Sequence, residues 1–113
     1  MSRSGGSQLF GPVAAAALAA PLRLALHQNV PNPFNPSTAI GFDLPARDEV
    51  RLAVFDLAGR LVRELHRGVL EAGRHSIAWD GQGGDGQPAG SGIYFARLTV
   101  GDWSATRKLL LMK

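Results

Sequence analysis

Two carboxylates, Asp80 and Asp85, stand five positions apart in the glycine-rich stretch Trp79-Asp80-Gly81-Gln82-Gly83-Gly84-Asp85-Gly86. Oxygen donors spaced along a flexible loop are what a calcium ion requires. The spacing does not complete a calcium loop. Counting from Asp80, position five is Gly84 and position twelve is Ser91, where a helix–loop–helix site needs an oxygen donor and a bidentate Glu. The residues instead suit a turn, with the Asp80 side chain accepting loop N–H bonds. Gly81, Gly83 and Gly86 fit Gly-x-Gly-x-x-Gly, but a dinucleotide site needs a helix to begin there. Gln87-Pro88-Ala89-Gly90-Ser91-Gly92 leads into a β-rich run instead. His27, His66 and His75 lie in separate segments without paired metal spacing, and no serine sits in Gly-x-Ser-x-Gly. Cysteine is absent, which removes disulfides, thiolate metal sites and cysteine nucleophiles. No catalytic, cofactor or metal site is expected.

The elements that carry these residues read as strands. Ile40, Phe42 and Leu44 alternate along Thr38–Leu44, and Pro45 ends the run. From Glu49 to Leu57, Val50, Leu52 and Val54 take one face, with Arg51, Ala53 and Phe55 on the other. Ala58-Gly59-Arg60 predicts a tight turn into a hairpin partner at Leu61–His66. A helix over 54–70 is the rival reading, since Leu57, Leu61, Val62 and Leu65 are helically spaced; Gly59 in its interior argues against it. His75, Ile77 and Trp79 alternate next. A loop with four glycines besides Gly90 spans Gly81–Gly90. Tyr94, Ala96, Leu98 and Val100 then share a face, Gly101-Asp102 turns, and Trp103–Met112 is a last strand. Period-two alternation punctuated by turns every 8–12 residues predicts an antiparallel β-sandwich.

The charge supports a body without a nucleic-acid face. Of 12 basic and 9 acidic residues, Arg3 and Arg23 lie before residue 29 with no acid beside them. The remainder is nearly balanced and holds no basic run, so no nucleic-acid partner is expected. Residues 1–23 form an Ala-rich segment outside the core, with 24–113 as the folded unit. Arg3 followed by Val13–Ala20, with Ala17-Leu18-Ala19 as a small-x-small pattern, reads as a signal peptide. A linker, or the end of a longer chain, fits the same composition. Pro12, Pro21 and Arg23 leave the run too short to span a bilayer.

Asn32-Pro33-Phe34-Asn35-Pro36 predicts a stiff lead-in to the first core strand. Proline fixes φ and restricts the residue before it, Asn35 can close an Asx turn, and Phe34 is an apolar anchor. At the other end, Arg107-Lys108-Leu109-Leu110-Leu111-Met112-Lys113 is an apolar strand bounded by lysines, which blunt an exposed edge.

Taken in order, these segments resemble the type A C-terminal sorting domains of type IX secretion. The resemblance rests on Leu24-Ala25-Leu26-His27-Gln28-Asn29-Val30-Pro31 with Asn32–Thr38, then Val54-Phe55-Asp56-Leu57-Ala58-Gly59-Arg60-Leu61-Val62. It continues through Ala72-Gly73-Arg74-His75, Trp79-Asp80-Gly81, Ala89–Leu98 and Lys108–Lys113. It implies an Ig-like sandwich of about seven strands that is not an enzyme. The implied role is an address on an exported protein, passing through the periplasm to the cell surface. The implied partners are the outer-membrane translocation machinery and its sortase, with a cargo domain upstream. Residue by residue, it carries recognition to Gly59 and Val62, to Gly90, Gly92 and Tyr94, and to Lys108 and Lys113. The sandwich is also similar to the Ig-like domain of the flagellar hook-capping protein, which shares Trp79-Asp80-Gly81 and Gly92-Ile93-Tyr94. That domain is not expected to carry the Asn32–Pro36 lead-in. A structural or adhesive Ig-like module is therefore the alternative function.

Overall fold

The computed structural model describes residues 20–113. The signal-peptide reading falls mostly on residues outside that range. Seven strands form two antiparallel sheets: β1 (Ala25–Leu26), β2 (Thr38–Leu44), β3 (Asp48–Asp56), β4 (Leu61–Leu70), β5 (Gly73–Trp79), β6 (Gly92–Val100) and β7 (Trp103–Leu111). One sheet has the order β1-β2-β5 and the other β4-β3-β6-β7. The chain crosses between sheets after β2, β4 and β5, so the two sheets share one core. All-β sandwich architecture is what the alternating pattern dictates. No helix occurs among the described residues, and the rival helix over 54–70 is replaced by the β3–β4 hairpin.

The core is the inward set of that alternation. Ile40, Phe42 and Leu44 of β2 face Val50, Leu52 and Val54 of β3, Ala96 and Leu98 of β6, and Leu109 and Leu111 of β7. Trp79 and Phe34 are the largest side chains among them. Ala53 belongs to the outer face but is only 1% exposed. It lies in register between Glu64 of β4 and Arg97 of β6, whose longer side chains flank it. The β3–β4 register shifts twice, between Leu52 and Ala53 and between Val54 and Phe55. Such bulges increase local twist and blunt an edge strand.

Two elements depart from the sequence reading. β4 continues past His66 to Leu70, through Gly68 at φ +148°. β1 has only two residues and pairs Ala25 with Asp43 and Leu26 with Phe42. Its shortness leaves no alternation to detect.

The lead-in from Leu26 to Phe34 lies along the outer edge of β7. Arg107 Nε donates to Leu26 O at 2.9 Å, and Gln28 Nε2 donates to Lys108 O at 2.7 Å. Phe34 N donates to Leu110 O, and Met112 N donates to Phe34 O. The Leu110 amide donates to Asn32 Oδ1 at 2.9 Å. Asn32, rather than Asn35, thus supplies the side-chain bond of this segment. Asn29 is 2% exposed, and its amide donates to Pro31 O and Thr38 Oγ1, each at 3.0 Å. Thr38 Oγ1 in turn donates to Pro31 O at 2.8 Å, and Gln28 Nε2 donates to Asn29 Oδ1. The buried amide is satisfied without water, as a polar group inside a core must be.

Candidate functional site

The residues singled out in sequence collect at one end of the sandwich. That end is formed by the β3–β4 turn, the close of β5, the 80–91 loop, the start of β6 and the close of β7. The turn is built by Asp56, whose Oδ1 accepts from the N–H of Ala58 and of Arg60, both at 2.9 Å. These bonds and the Arg60 guanidinium at 3.3 Å hold the Asp56 carboxyl below its ordinary value, the Arg60 N–H contributing most. Gly59 takes φ +84° at the tip, a conformation that costs other residues about 1–2 kcal/mol.

Phe34, Trp79 and Tyr94 come from three distant segments and form one aromatic cluster. Trp79 is fully buried, with ring centroids 5.6 Å from Phe34 and 5.4 Å from Tyr94, the latter edge-on. That geometry is favoured between aromatic quadrupoles. The indole N–H donates to Gln82 O at 2.9 Å, which folds the following loop back over the ring. Asp80 Oδ1 accepts from Gln82 N at 3.0 Å, and Asp85 Oδ1 accepts from Gln87 N at 2.9 Å. Both carboxylates of the calcium-like stretch therefore close separate turns. No group of three metal-ligating side chains forms among the described residues. Gly81 sits at φ +79°, and a Cβ there would lie 2.6 Å from Pro36 O. The Asn32–Pro36 and Trp79–Gly81 motifs are thus two halves of one packing contact.

Val62 and Tyr94 line an open groove of about 810 Å³ between β4 and the loop, with Gly84, Asp85 and Pro88 on its far side. Gly84 N donates to Val62 O at 2.8 Å, and Tyr94 Oη donates to Gly90 O at 2.6 Å. Gly59 stands on the opposite side of the hairpin, lining a smaller hollow with Phe55, Leu57, Phe95 and Arg97. Gly92 pairs with Leu111 across β6–β7, and Lys113 N donates to Ser91 Oγ at 2.9 Å. Lys108 lies opposite Phe95, one strand over from Phe55. Six of the seven recognition candidates gather at this end, and Lys108 borders it on the outer face of the four-stranded sheet. The Asp56 turn and the Asn29–Thr38 pair went unnoticed in sequence. An aspartate three residues before a turn glycine was the available signal for the first.

One ionic cluster lies further along β4. Arg51 Nε donates to Glu64 Oε2 at 2.7 Å, and Arg67 donates to the same carboxylate through Nε and Nη2. These bonds, from Arg67 first and Arg51 second, hold the Glu64 carboxyl down to about 2, against the smaller opposing effect of desolvation. Asp56, Glu64 and Asp85 all border the larger groove, with Asp56 and Asp85 accepting backbone N–H bonds and Glu64 held by Arg51 and Arg67. No described helix is long and apolar enough to cross a membrane.

Comparison with known proteins agrees with this architecture. The family described as FlgD Ig-like domain matches residues 29–102. The match begins at Asn29 and so spans the positions of the Asn32–Pro36 lead-in. It stops before β7. The basal-body rod modification protein FlgD of Salmonella typhimurium is 39% identical over 66 residues, 57% of this chain and 28% of that protein. Its Escherichia coli counterpart is 41% identical over 65 residues, with the same coverage. The chain thus corresponds to little over a quarter of these relatives. Among solved structures, dimeric latent PorU of Porphyromonas gingivalis superposes with a TM-score of 0.62 at 22% identity, over 79% of this chain and 9% of that one. FlgD of Pseudomonas aeruginosa gives 0.54 at 21%, over 82% and 74%. PorZ, an essential surface component of the type IX secretion system of Porphyromonas gingivalis, gives 0.51 at 18%, over 80% and 11%. At such identities the likeness establishes a shared fold.

Proposed function

This chain belongs to the FlgD Ig-like domain family, and from that premise we propose that residues 24–113 are a non-catalytic sorting module. In this reading the module addresses an exported protein through the periplasm to the type IX outer-membrane machinery and its sortase, and so to the cell surface. Residues 1–23 would be a leader or linker outside the module. The observation that carries the reading is the gathering of Gly59, Val62, Gly90, Gly92, Tyr94 and Lys113 at one end of a rigid sandwich. The Asp56, Asp80 and Asp85 carboxylates there are engaged in closing turns, and what remains is a shape bordered by the Lys108 and Lys113 side chains, which suits recognition and not turnover. The fold shared with PorU and PorZ supports the same assignment.

The test is a fusion of residues 24–113 behind a fluorescent reporter carrying its own export signal, in a host with type IX machinery. Surface display that disappears when the translocation machinery is deleted is the expected result. A reporter held in the periplasm with its module folded would overturn it. A second reading, a structural or adhesive module, draws on the relatives themselves, which are basal-body rod modification proteins. It predicts periplasmic retention in that assay, together with binding to a rod or hook component.

A further inference from the structure

The outer face of the four-stranded sheet is divided in two. At the end away from the recognition motifs Arg51 and Arg67 share the single carboxylate of Glu64, and the Arg51 guanidinium carbon stands 6.0 Å from the centroid of the Phe55 ring. At the other end the register sets Phe55 beside Phe95 and Phe95 beside Lys108, while Ile93 lies beside Leu110. Arg97 lies one alternation further along β6, pairing with Thr106. Phe55, Phe95, Arg97 and Thr106 together line a hollow of about 280 Å³. Ile93 is 37% exposed, and Leu57 at the rim is 70% exposed.

The charge on this half is one-sided. Neither Arg97 nor Lys108 forms an ion pair among the described residues. The single acid bordering the hollow is Asp56, and its oxygens are already taken by the Ala58 and Arg60 amides and the Arg60 guanidinium. A sheet face normally scatters its charges in both signs. Here an apolar centre of two aromatic rings is bordered by two free cations and no free anion.

We propose that this face binds a protein partner through an acidic, apolar segment, with carboxylates meeting Arg97 and Lys108 and apolar side chains covering Phe55 and Phe95. Aromatic rings at the centre and arginine beside them are the composition of a protein interface. Charge complementarity sets its orientation and its rate of association. A membrane fits less well: two cations contribute only about 1 kcal/mol each at an anionic surface, and both rings are half-buried and cannot insert. The inference goes beyond the sorting reading, because it concerns the isolated chain and stands whether or not the chain is an address.

The experiment is selection of a random twelve-residue peptide library, displayed on phage, against the full chain. Enriched peptides are expected to combine Asp or Glu with aliphatic or aromatic residues. Arg97→Glu with Lys108→Glu should weaken their binding at least tenfold, the Gln pair should weaken it less, and Arg74→Glu on the opposite sheet should leave it unchanged. All three variants change exposed side chains, and thermal melts matching the wild type confirm their folding. Three results would each overturn the proposal: no enrichment, enrichment of peptides lacking acids, or equal binding to the Glu pair. Cosedimentation of the chain with phosphatidylglycerol vesicles, lost in the Glu pair while the peptides still bind it, would assign the cations to a membrane and overturn it too.

Discussion

At the scale of single residues, two glycines with the same backbone hand make opposite demands. Gly59 at φ +84° has nothing within 4 Å of where a Cβ would stand, whereas Gly81 at φ +79° has Pro36 O at 2.6 Å. Gly59→Ala should therefore cost only the left-handed conformation, about 1–2 kcal/mol. Gly81→Ala adds a backbone clash that separates the lead-in from the Trp79 turn, and strain of that kind adds about 1–3 kcal/mol more. Urea denaturation of the two variants measures the difference, and equal midpoints would disprove the packing account. Gly59→Ala is consequently the cleaner probe of recognition, because a loss of sorting would exceed what its stability explains. Glu64 makes a prediction in pH. Its carboxyl lies near 4.5 when unpaired and at about 2 beside Arg67 and Arg51. A depressed acid stabilises the fold above its unfolded value, and that contribution drains away as pH falls through the folded value. Stability of the wild type should decline from pH 4.5 toward 2, and Glu64→Gln should flatten the decline. The effect should shrink in high salt, since the pair is exposed. Parallel profiles for the two proteins would exclude the Glu64 cluster as its source.

At the scale of elements, the lead-in and β7 behave as one unit. The Leu110 amide has Asn32 Oδ1 as its acceptor, and Leu110 O receives Phe34 N. Asn32→Ala removes one bond from a partly solvated edge, which costs about 0.5–1.5 kcal/mol. Its sharper signature is local. Amide exchange should quicken at Leu110 and Met112 and stay slow at Ile40 and Leu98, and uniform quickening would contradict the coupling. β2, β3, β5 and β6 were legible in the sequence because each repeats its apolar residues with period two. β4 was legible only as the partner across a turn at Gly59, which interrupts the competing helical spacing, and β7 only as an apolar run after the Gly101-Asp102 turn. The rest was hidden for particular reasons. β1 pairs through two residues, too few for a period. β4 runs on through Arg67 and Gly68, which carry no strand signal of their own. Ala53 is buried on the outer face by its neighbours in register, not by its place in an alternation. Of the site, residue types marked Trp79-Asp80-Gly81 and Asn32–Pro36 as structural, but only the folded chain shows Gly81 seated against Pro36. The grouping of Val62 with Tyr94, and of Gly59 with Phe95, depends on how strands are ordered in a sheet, which local pattern does not encode.

At the scale of the whole molecule, the terminal segment that carries Lys108 and Lys113 also closes the core, so the proposed signal and the stability of the fold fall on neighbouring residues. Leu109 and Leu111 are fully buried. Phe34 is held by backbone bonds to Leu110 and Met112 on either side of Leu111. Deleting 109–113 removes two core leucines, at about 2–5 kcal/mol each, from a fold whose total stability is of the order of 5–15 kcal/mol. It also uncovers Phe34 and, through it, Trp79. The truncated chain should lose its cooperative melt by circular dichroism, and its failure to sort would then report unfolding and nothing about recognition. Lys108→Gln with Lys113→Gln separates the two. Both side chains are exposed, and the Lys113 backbone N–H still reaches Ser91 Oγ whatever the side chain. Surface substitutions of this kind stay within about 0.5 kcal/mol. The Gln pair should therefore melt as the wild type does and yet lower surface display of the fused reporter. A Gln pair that folds and displays at the wild-type level would show that the end of the sandwich is read by its shape alone, without its terminal charges.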